Sequence, residues 1–267
     1  MKKLLASLRA APGTAAAMLL LAAAIAAQAL ALDIGAFAAL NRAAAVAPDW
    51  LWENLTALGD SGIILCLLSP ALLLRPQWVM AALAAVPLAS LFSYAMKSLF
   101  HGAPRPGAVL EPGQFHLLGE LFLNNSFPSG HSITAFAVAA AILRVSAPPL
   151  AAPLRATVLG VAAAVACSRI AVGAHWPVDA VAGAAGGWIC GTLGAALVQR
   201  WPRLWQGAAW KNGAAVLVAL AALWISDVDM GYPLAQPLQR FAELAALAVA
   251  AWQLALGPLL RHLRNPP

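Results

Sequence analysis

Eight apolar runs dominate this sequence, at about residues 12–33, 57–75, 79–100, 131–148, 153–172, 178–199, 212–226 and 242–260. Each is near the roughly 17–25 residues that cross a bilayer as a helix. Runs of this length leave few folds open. Inside lipid every backbone polar group needs a partner within the protein, so a spanning chain forms helices or a closed barrel. The apolar–polar alternation of strands is absent, and the expectation is an all-α polytopic membrane helical bundle. Composition agrees: charged residues are 10% of the chain, against about 25% in ordinary soluble domains. Pro76, Pro148-Pro149, Pro177 and Pro202 punctuate the joints. Gly183, Gly187 and Gly191 recur at four-residue spacing and give the sixth run one smooth face for close helix packing. Cys66, Cys167 and Cys190 lie in apolar stretches without paired spacing, and read as small buried hydrophobes.

The net charge of +6 comes from basic residues that are neither clustered nor interleaved with aromatics, so no nucleic-acid partner is expected. Membrane topology accounts for them instead. With the N-terminus in the cytoplasm, Lys2, Lys3, Arg9, Arg75, Arg144, Arg155, Arg200, Arg203, Lys211, Arg261 and Arg264 fall inside. Both termini are then cytoplasmic, as expected for a bacterial inner-membrane protein. The acidic residues, from Asp33 to Glu243, fall outside or at outer helix ends. The segment ending in Ala27-Gln28-Ala29 has signal-peptide character, but its apolar run exceeds the usual 7–15 residues. An uncleaved first span is expected.

Against this background three short polar motifs stand out: Lys97 with Arg105-Pro106, Pro128-Ser129-Gly130-His131, and Ser168-Arg169 with His175 and Asp179. Ionisable residues at membrane depth are costly, so they mark functional sites by default. The eight-span topology brings all three motifs to the outer, periplasmic face. His175 and Asp179 are four apart at a helix start that Pro177 suits. The carboxylate there can orient one imidazole nitrogen and leave the other as nucleophile; equally, Asp179 is a favourable first-turn acid. Ser129 and Gly130 open a long apolar helix, where free backbone N–H groups form an anion site. His131 is placed to act as a general acid. Lys97, Arg105 and Arg169 can hold phosphate oxygens, arginine bidentately and lysine as a point charge. Each residue alone also fits a plain structural role; together on one face they point to phosphoryl chemistry.

The three motifs resemble the signature of the type-2 phosphatidic acid phosphatase (PAP2) family, whose fold is shared with vanadium haloperoxidases. The signature is Lys-x6-Arg-Pro, Pro-Ser-Gly-His and Ser-Arg-x5-His-x3-Asp. The second and third parts are intact here, while the first has seven residues between Lys97 and Arg105. The resemblance implies a six-helix core over about residues 12–200, within a phosphatase unit of residues 1–200. A C-terminal extension of residues 201–267 carries two further spans. It also implies roles. His175 attacks phosphorus, Asp179 orients it, and His131 protonates the leaving group. Lys97, Arg105, Ser129, the Gly130 amide and Arg169 hold the phosphate, without a metal or other cofactor.

A site at the outer boundary of the membrane makes a lipid phosphate or diphosphate the expected substrate. Undecaprenyl diphosphate leads, with phosphatidate, phosphatidylglycerol phosphate and a lipid A phosphate beside it. A lipid phosphotransferase and a non-catalytic lipid-binding or transport protein are the alternatives. The apolar loop from Gly107 to Ser126 reads as an interfacial lid or as surface packing, and Trp50, Trp52 and Trp78 as interfacial anchors.

Overall fold

The computed structural model describes residues 13–30, 34–111 and 113–257. Its regular elements are α1 (Thr14–Leu30), α2 (Ile34–Ala44), α3 (Asp49–Ala57), α4 (Ser61–Leu68), α5 (Ala71–Leu74), α6 (Pro76–Leu99) and α7 (Pro106–Val109). They continue with α8 (Gly130–Val145), α9 (Ala152–Ala171), α10 (Pro177–Arg200), α11 (Pro202–Gln206), α12 (Ala208–Asp227), a 3-10 turn (Pro233–Ala235) and α13 (Gln236–Ala251), which ends in a π-helical turn (Trp252–Leu256). No strand occurs among the described residues, and the chain is an all-helical, multi-pass membrane protein. Among those residues α6, α9, α10 and α12 are long and apolar enough to cross a bilayer.

The apolar runs and the helices differ in instructive places. The run at 57–75 is not one span. α3 and α4 meet at 78°, because Gly59-Asp60 breaks the helix and the Asp60 carboxylate caps the next one, accepting from the Gly62 and Ile63 N–H groups at 2.8 and 3.0 Å. Ser69-Pro70 breaks the path again before α5. The runs at 12–33 and 131–148 form helices of 17 and 16 residues, shorter than the sequence suggested. The run at 212–226 is longer, since α12 has 20 residues. The last helix begins at Gln236, and its expected end at residue 260 lies outside the described residues. So do Lys2, Lys3, Arg9, Arg261, Arg264 and Asp33. Cys66 and Cys190 are buried, but Cys167 is exposed on the outer face of α9; position in an apolar run does not reveal which side faces lipid.

α10 is the central element and packs against α1, α6 and α8. Its glycines explain how. A Cβ added at Gly183 would fall 2.5 Å from the Ser129 carbonyl oxygen, at Gly187 2.3 Å from that of Ile133, and at Gly191 2.1 Å from that of Ala137. The obstructing atoms are α8 backbone, which has no rotamer to yield. Gly194 meets the α6 backbone at Ala81 and Ala85 in the same way, 2.7 Å from each. α12 and α13 pack on each other and on α4, burying Ile63, Cys66, Val218, Ala222, Ile225, Ala242 and Ala246 in one cluster. The C-terminal helices thus cover the broken second segment.

Gly187→Val is expected to destabilise the bundle by about 1–3 kcal/mol, the usual cost of overpacking, seen as a lower unfolding midpoint in detergent. Gly160→Ala, where a Cβ meets open space, should leave the midpoint unchanged or raise it.

Candidate active site

Helix ends assemble the site. Lys97 sits in the last turn of α6 and His131 in the first turn of α8. Arg169 lies in the last turn of α9 and Asp179 in the first turn of α10. Arg105 precedes α7, and His175 lies in the short loop between α9 and α10. That loop is tied back to its helix, since the Ala174 and His175 N–H groups both donate to the Arg169 carbonyl at 3.1 Å. Gly173 has a φ of +75°, and a Cβ there would fall 2.6 Å from the Phe115 ring, so a residue with a side chain is excluded twice over.

The His175–Asp179 pair forms as the spacing suggested. His175 Nδ1 is 3.2 Å from Asp179 Oδ2, with both side chains buried. The same oxygen accepts the Trp176 N–H at 2.9 Å and the Ser126 hydroxyl. Asp179 is therefore both the first-turn acid and the partner of the imidazole. An Nδ1–H donated to the carboxylate leaves the Nε2 lone pair free. Nε2 is 3.3 Å from Arg105 Nη1. His175 is held well below the ordinary histidine pKa, first by burial and then by the charges of Arg105, Arg169 and Lys97. A neutral imidazole is the form that can attack.

The cations are anchored by backbone carbonyls. Lys97 Nζ donates to Asn125 O at 2.8 Å. Arg105 Nε donates to Asn124 O at 2.9 Å, its Nη1 to Ala174 O at 3.0 Å and its Nη2 to Asn125 O at 3.5 Å. The Arg105 guanidinium also lies 5.1 Å from the centre of the Phe122 ring. Burial, then Arg169, lowers the Arg105 pKa to about 10, which keeps it charged at neutral pH. Sharing the Asn125 carbonyl brings Lys97 and Arg105 together despite the extra residue between them. The chain between them turns through Gly102, at φ +77° with open space around it. Arg169 is only 3% exposed, and its Nη1 donates to Tyr232 OH at 3.0 Å and to Thr56 Oγ1.

Ser129 caps α8: its Oγ accepts from the Ser132 N–H at 3.4 Å and the Ser132 hydroxyl at 3.1 Å, leaving its own O–H to donate. The Ser129 N–H donates to Asp179 O at 3.1 Å, fastening the second motif to the third. A Cβ on Gly130 would meet nothing within 4 Å, and the residue borders open space. That space is a cavity of about 510 Å³ lined by Lys97, Gly130, His131, Asp60 and the α6 residues Ser90, Ser93 and Tyr94. His175 is not part of its lining. His131 is nevertheless near enough to feel the charges of Arg169 and Arg105. The 107–126 loop is fastened rather than free: Phe115 stacks edge-on with Phe37, and the Leu118 N–H donates to Val172 O. Leu121, Phe122 and Leu123 remain exposed. Among the described residues no group of His, Cys, Asp and Glu could hold a metal ion.

Sequence reasoning missed several contributors. Ser126 braces Asp179, Thr56 and Tyr232 hold Arg169, and buried Asn41 bonds Ile170 O, His116 O and the His116 N–H. Tyr232 is one of only two tyrosines, a faint signal; the others carried none.

Residues 78–203 match the model of the PAP2 superfamily, a stretch that contains every motif residue from Lys97 to Asp179. The class that fold and site most resemble is the PAP2-type membrane lipid phosphatases. Among solved structures, the chain is similar to Aquifex aeolicus LpxE at 28% identity and a TM-score of 0.54, covering 62% of this chain and 95% of that one. It is also similar to the first transmembrane PAP2 type phosphatidylglycerolphosphate phosphatase from Bacillus subtilis, at 24% identity and a TM-score of 0.47, covering 70% of this chain and 92% of that one. Comparison with curated proteins gives no match.

Because its pKa is lowered, His175 should remain neutral as pH falls through 6.5. The histidine NMR resonance that disappears in His175→Ala should therefore not titrate between pH 7.5 and 6, whereas an exposed histidine does.

Proposed function

We propose that this protein hydrolyses a lipid phosphate or diphosphate at the periplasmic face of the bacterial inner membrane, through a phospho-histidine intermediate. The observation that carries the reading is the buried His175–Asp179 pair, whose imidazole turns Nε2 toward the guanidinium of Arg105. In the first step Nε2 forms a bond to phosphorus as the bond to the lipid oxygen breaks. His131 gives its proton to that oxygen. Lys97, Arg105, Arg169, the Ser129 hydroxyl and the Gly130 amide bear the charge on the phosphoryl oxygens, the positioning and electrostatic stabilisation on which phosphoryl transfer mostly depends. In the second step water, deprotonated by His131, attacks phosphorus, the N–P bond breaks, and inorganic phosphate leaves.

Two further features support a lipid substrate. The cavity beside His131 and Lys97 reaches the exposed face of α6 at Ser90 and Tyr94, so the Lys97–His131 side of the site opens toward the lipid-facing side of the bundle. The exposed Leu121–Leu123 edge borders Arg105 and offers an apolar surface to an acyl or prenyl chain.

The test is phosphate release by purified protein in the presence of chelator. Undecaprenyl diphosphate, phosphatidate, phosphatidylglycerol phosphate and a lipid A phosphate are compared, and undecaprenyl diphosphate is expected to be cleaved fastest. His175→Ala should abolish release, and Asp179→Asn should reduce it by about a hundredfold or more. Rapid quench with labelled substrate should trap an acid-labile phospho-protein in wild type and none in His175→Ala. Release that requires an added lipid acceptor would make the protein a phosphotransferase instead. Intact turnover in His175→Ala would remove the nucleophile assignment.

A further inference from the structure

Arg169 carries an unequal set of bonds. Its Nη1 has two N–H groups, and both are used, one on Thr56 Oγ1 and one on Tyr232 OH. Its Nε is buried and has no hydrogen-bond partner among the described residues. In a guanidinium the Nε–H and the adjacent Nη2–H point the same way and form the two-donor edge that grips a carboxylate or phosphate. Anchoring Nη1 therefore fixes the plane of the group and leaves that edge for an anion. A buried donor without a partner calls for an explanation, and a bound phosphoryl oxygen supplies one. The charge of Arg169 is felt at both Arg105 and His175, so the guanidinium lies beside their site.

The two anchors come from outside the sequence motifs. Thr56 ends the cross-lying helix α3. Tyr232 lies in the loop between α12 and the 3-10 turn, beyond the 78–203 segment that matches the family. That loop is clipped onto α3 from both sides. The Leu234 N–H donates to Glu53 Oε2 at 2.7 Å, and Asn54 Nδ2 donates to Leu234 O at 3.2 Å. The Tyr232 ring is buried with Ala57, Val172 and Ala174. Gly119 lies so close to it that an added Cβ would fall 2.7 Å from the ring. The phenol is thus locked in place with its hydroxyl on Arg169.

We propose that Tyr232 and Thr56 are positioning residues for phosphate binding: they hold Arg169 by Nη1 so that its Nε–Nη2 edge faces the phosphoryl group. The C-terminal helix pair is then part of the active site, because it delivers one of the two anchors. This inference rests on the reading of Arg169 as a phosphate ligand.

The experiment uses the full-length protein in detergent and reads kcat, KM and the inhibition constant of inorganic phosphate. Tyr232→Phe keeps the ring and removes the hydroxyl. Its phosphate inhibition constant should rise, and kcat/KM fall, by about threefold to tenfold, the range a lost hydrogen bond supplies. Thr56→Val should behave likewise, and Thr56→Ser should restore the wild-type values. In an Arg169→Lys background, Tyr232→Phe should have no further effect, since coupled residues are non-additive. Wild-type constants in both Tyr232→Phe and Thr56→Val would overturn the proposal, as would effects that multiply with Arg169→Lys. If Tyr232→Phe does not fold, the Thr56→Val and Thr56→Ser pair decides. If Arg169→Lys itself changes nothing, the ligand reading fails and this proposal with it. Loss of turnover in His175→Ala, with phosphate inhibition constants insensitive to both anchors, would leave the hydrolase reading standing while this one falls.

Discussion

The backbone-to-backbone contact between α8 and α10 sets everything at the site. One helix offers Gly183, Gly187 and Gly191, and the other offers carbonyl oxygens at Ser129, Ile133 and Ala137. Without a side chain between them the two helices lie at their closest, and their relative height is fixed to within an atom's width. The His175–Asp179 pair heads one of these helices and the Pro-Ser-Gly-His turn heads the other, so the packing of two spans becomes the geometry of the candidate site. The bond from the Ser129 N–H to the Asp179 carbonyl completes the same contact at its upper end. In membranes, where lipid gives no hydrophobic reason for helices to associate, such close packing is what dispersion forces need.

The electrostatics follow from that frame. Lys97, Arg105 and Arg169 converge, while Asp179 spends one carboxylate oxygen on three donors. Like charges held this close need compensation when no anion is bound, and the protein supplies it with backbone carbonyls from Asn124, Asn125 and Ala174 and with neutral hydroxyls from Thr56 and Tyr232. Neutral acceptors orient a cation without cancelling it. A carboxylate in the same places would bind the guanidinium groups more firmly and would also repel a phosphate.

Much of this was legible in the sequence, and the reasons are physical. Polar residues cannot drift freely through an apolar chain, so Lys97, Arg105, His131, Arg169, His175 and Asp179 advertised themselves. Glycine spacing predicted the smooth face of α10, and span lengths predicted most of the helices. The broken second segment escaped, because hydropathy averages over the Gly59-Asp60 turn, and an aspartate that caps a helix looks like any outer-end acid. The bracing residues escaped for a related reason. Asn124 and Asn125 act through backbone carbonyls, which every residue has, and Ser126, Thr56 and Tyr232 are ordinary polar side chains until a neighbour from a distant helix gives them a task.

The stripe of α6 that carries Ser90, Ser93, Tyr94 and Lys97 descends about 10 Å, at 1.5 Å per residue, from the lysine toward mid-membrane, and its outer members stand on the surface of the bundle. An opening at that depth is met sideways. For a molecule dissolved in the bilayer, arrival is then a matter of diffusion in two dimensions, and the quantity that saturates the site is its mole fraction among the surrounding lipids rather than its concentration in water. Diluting the membrane with inert detergent or lipid would slow such a catalyst as surely as removing substrate.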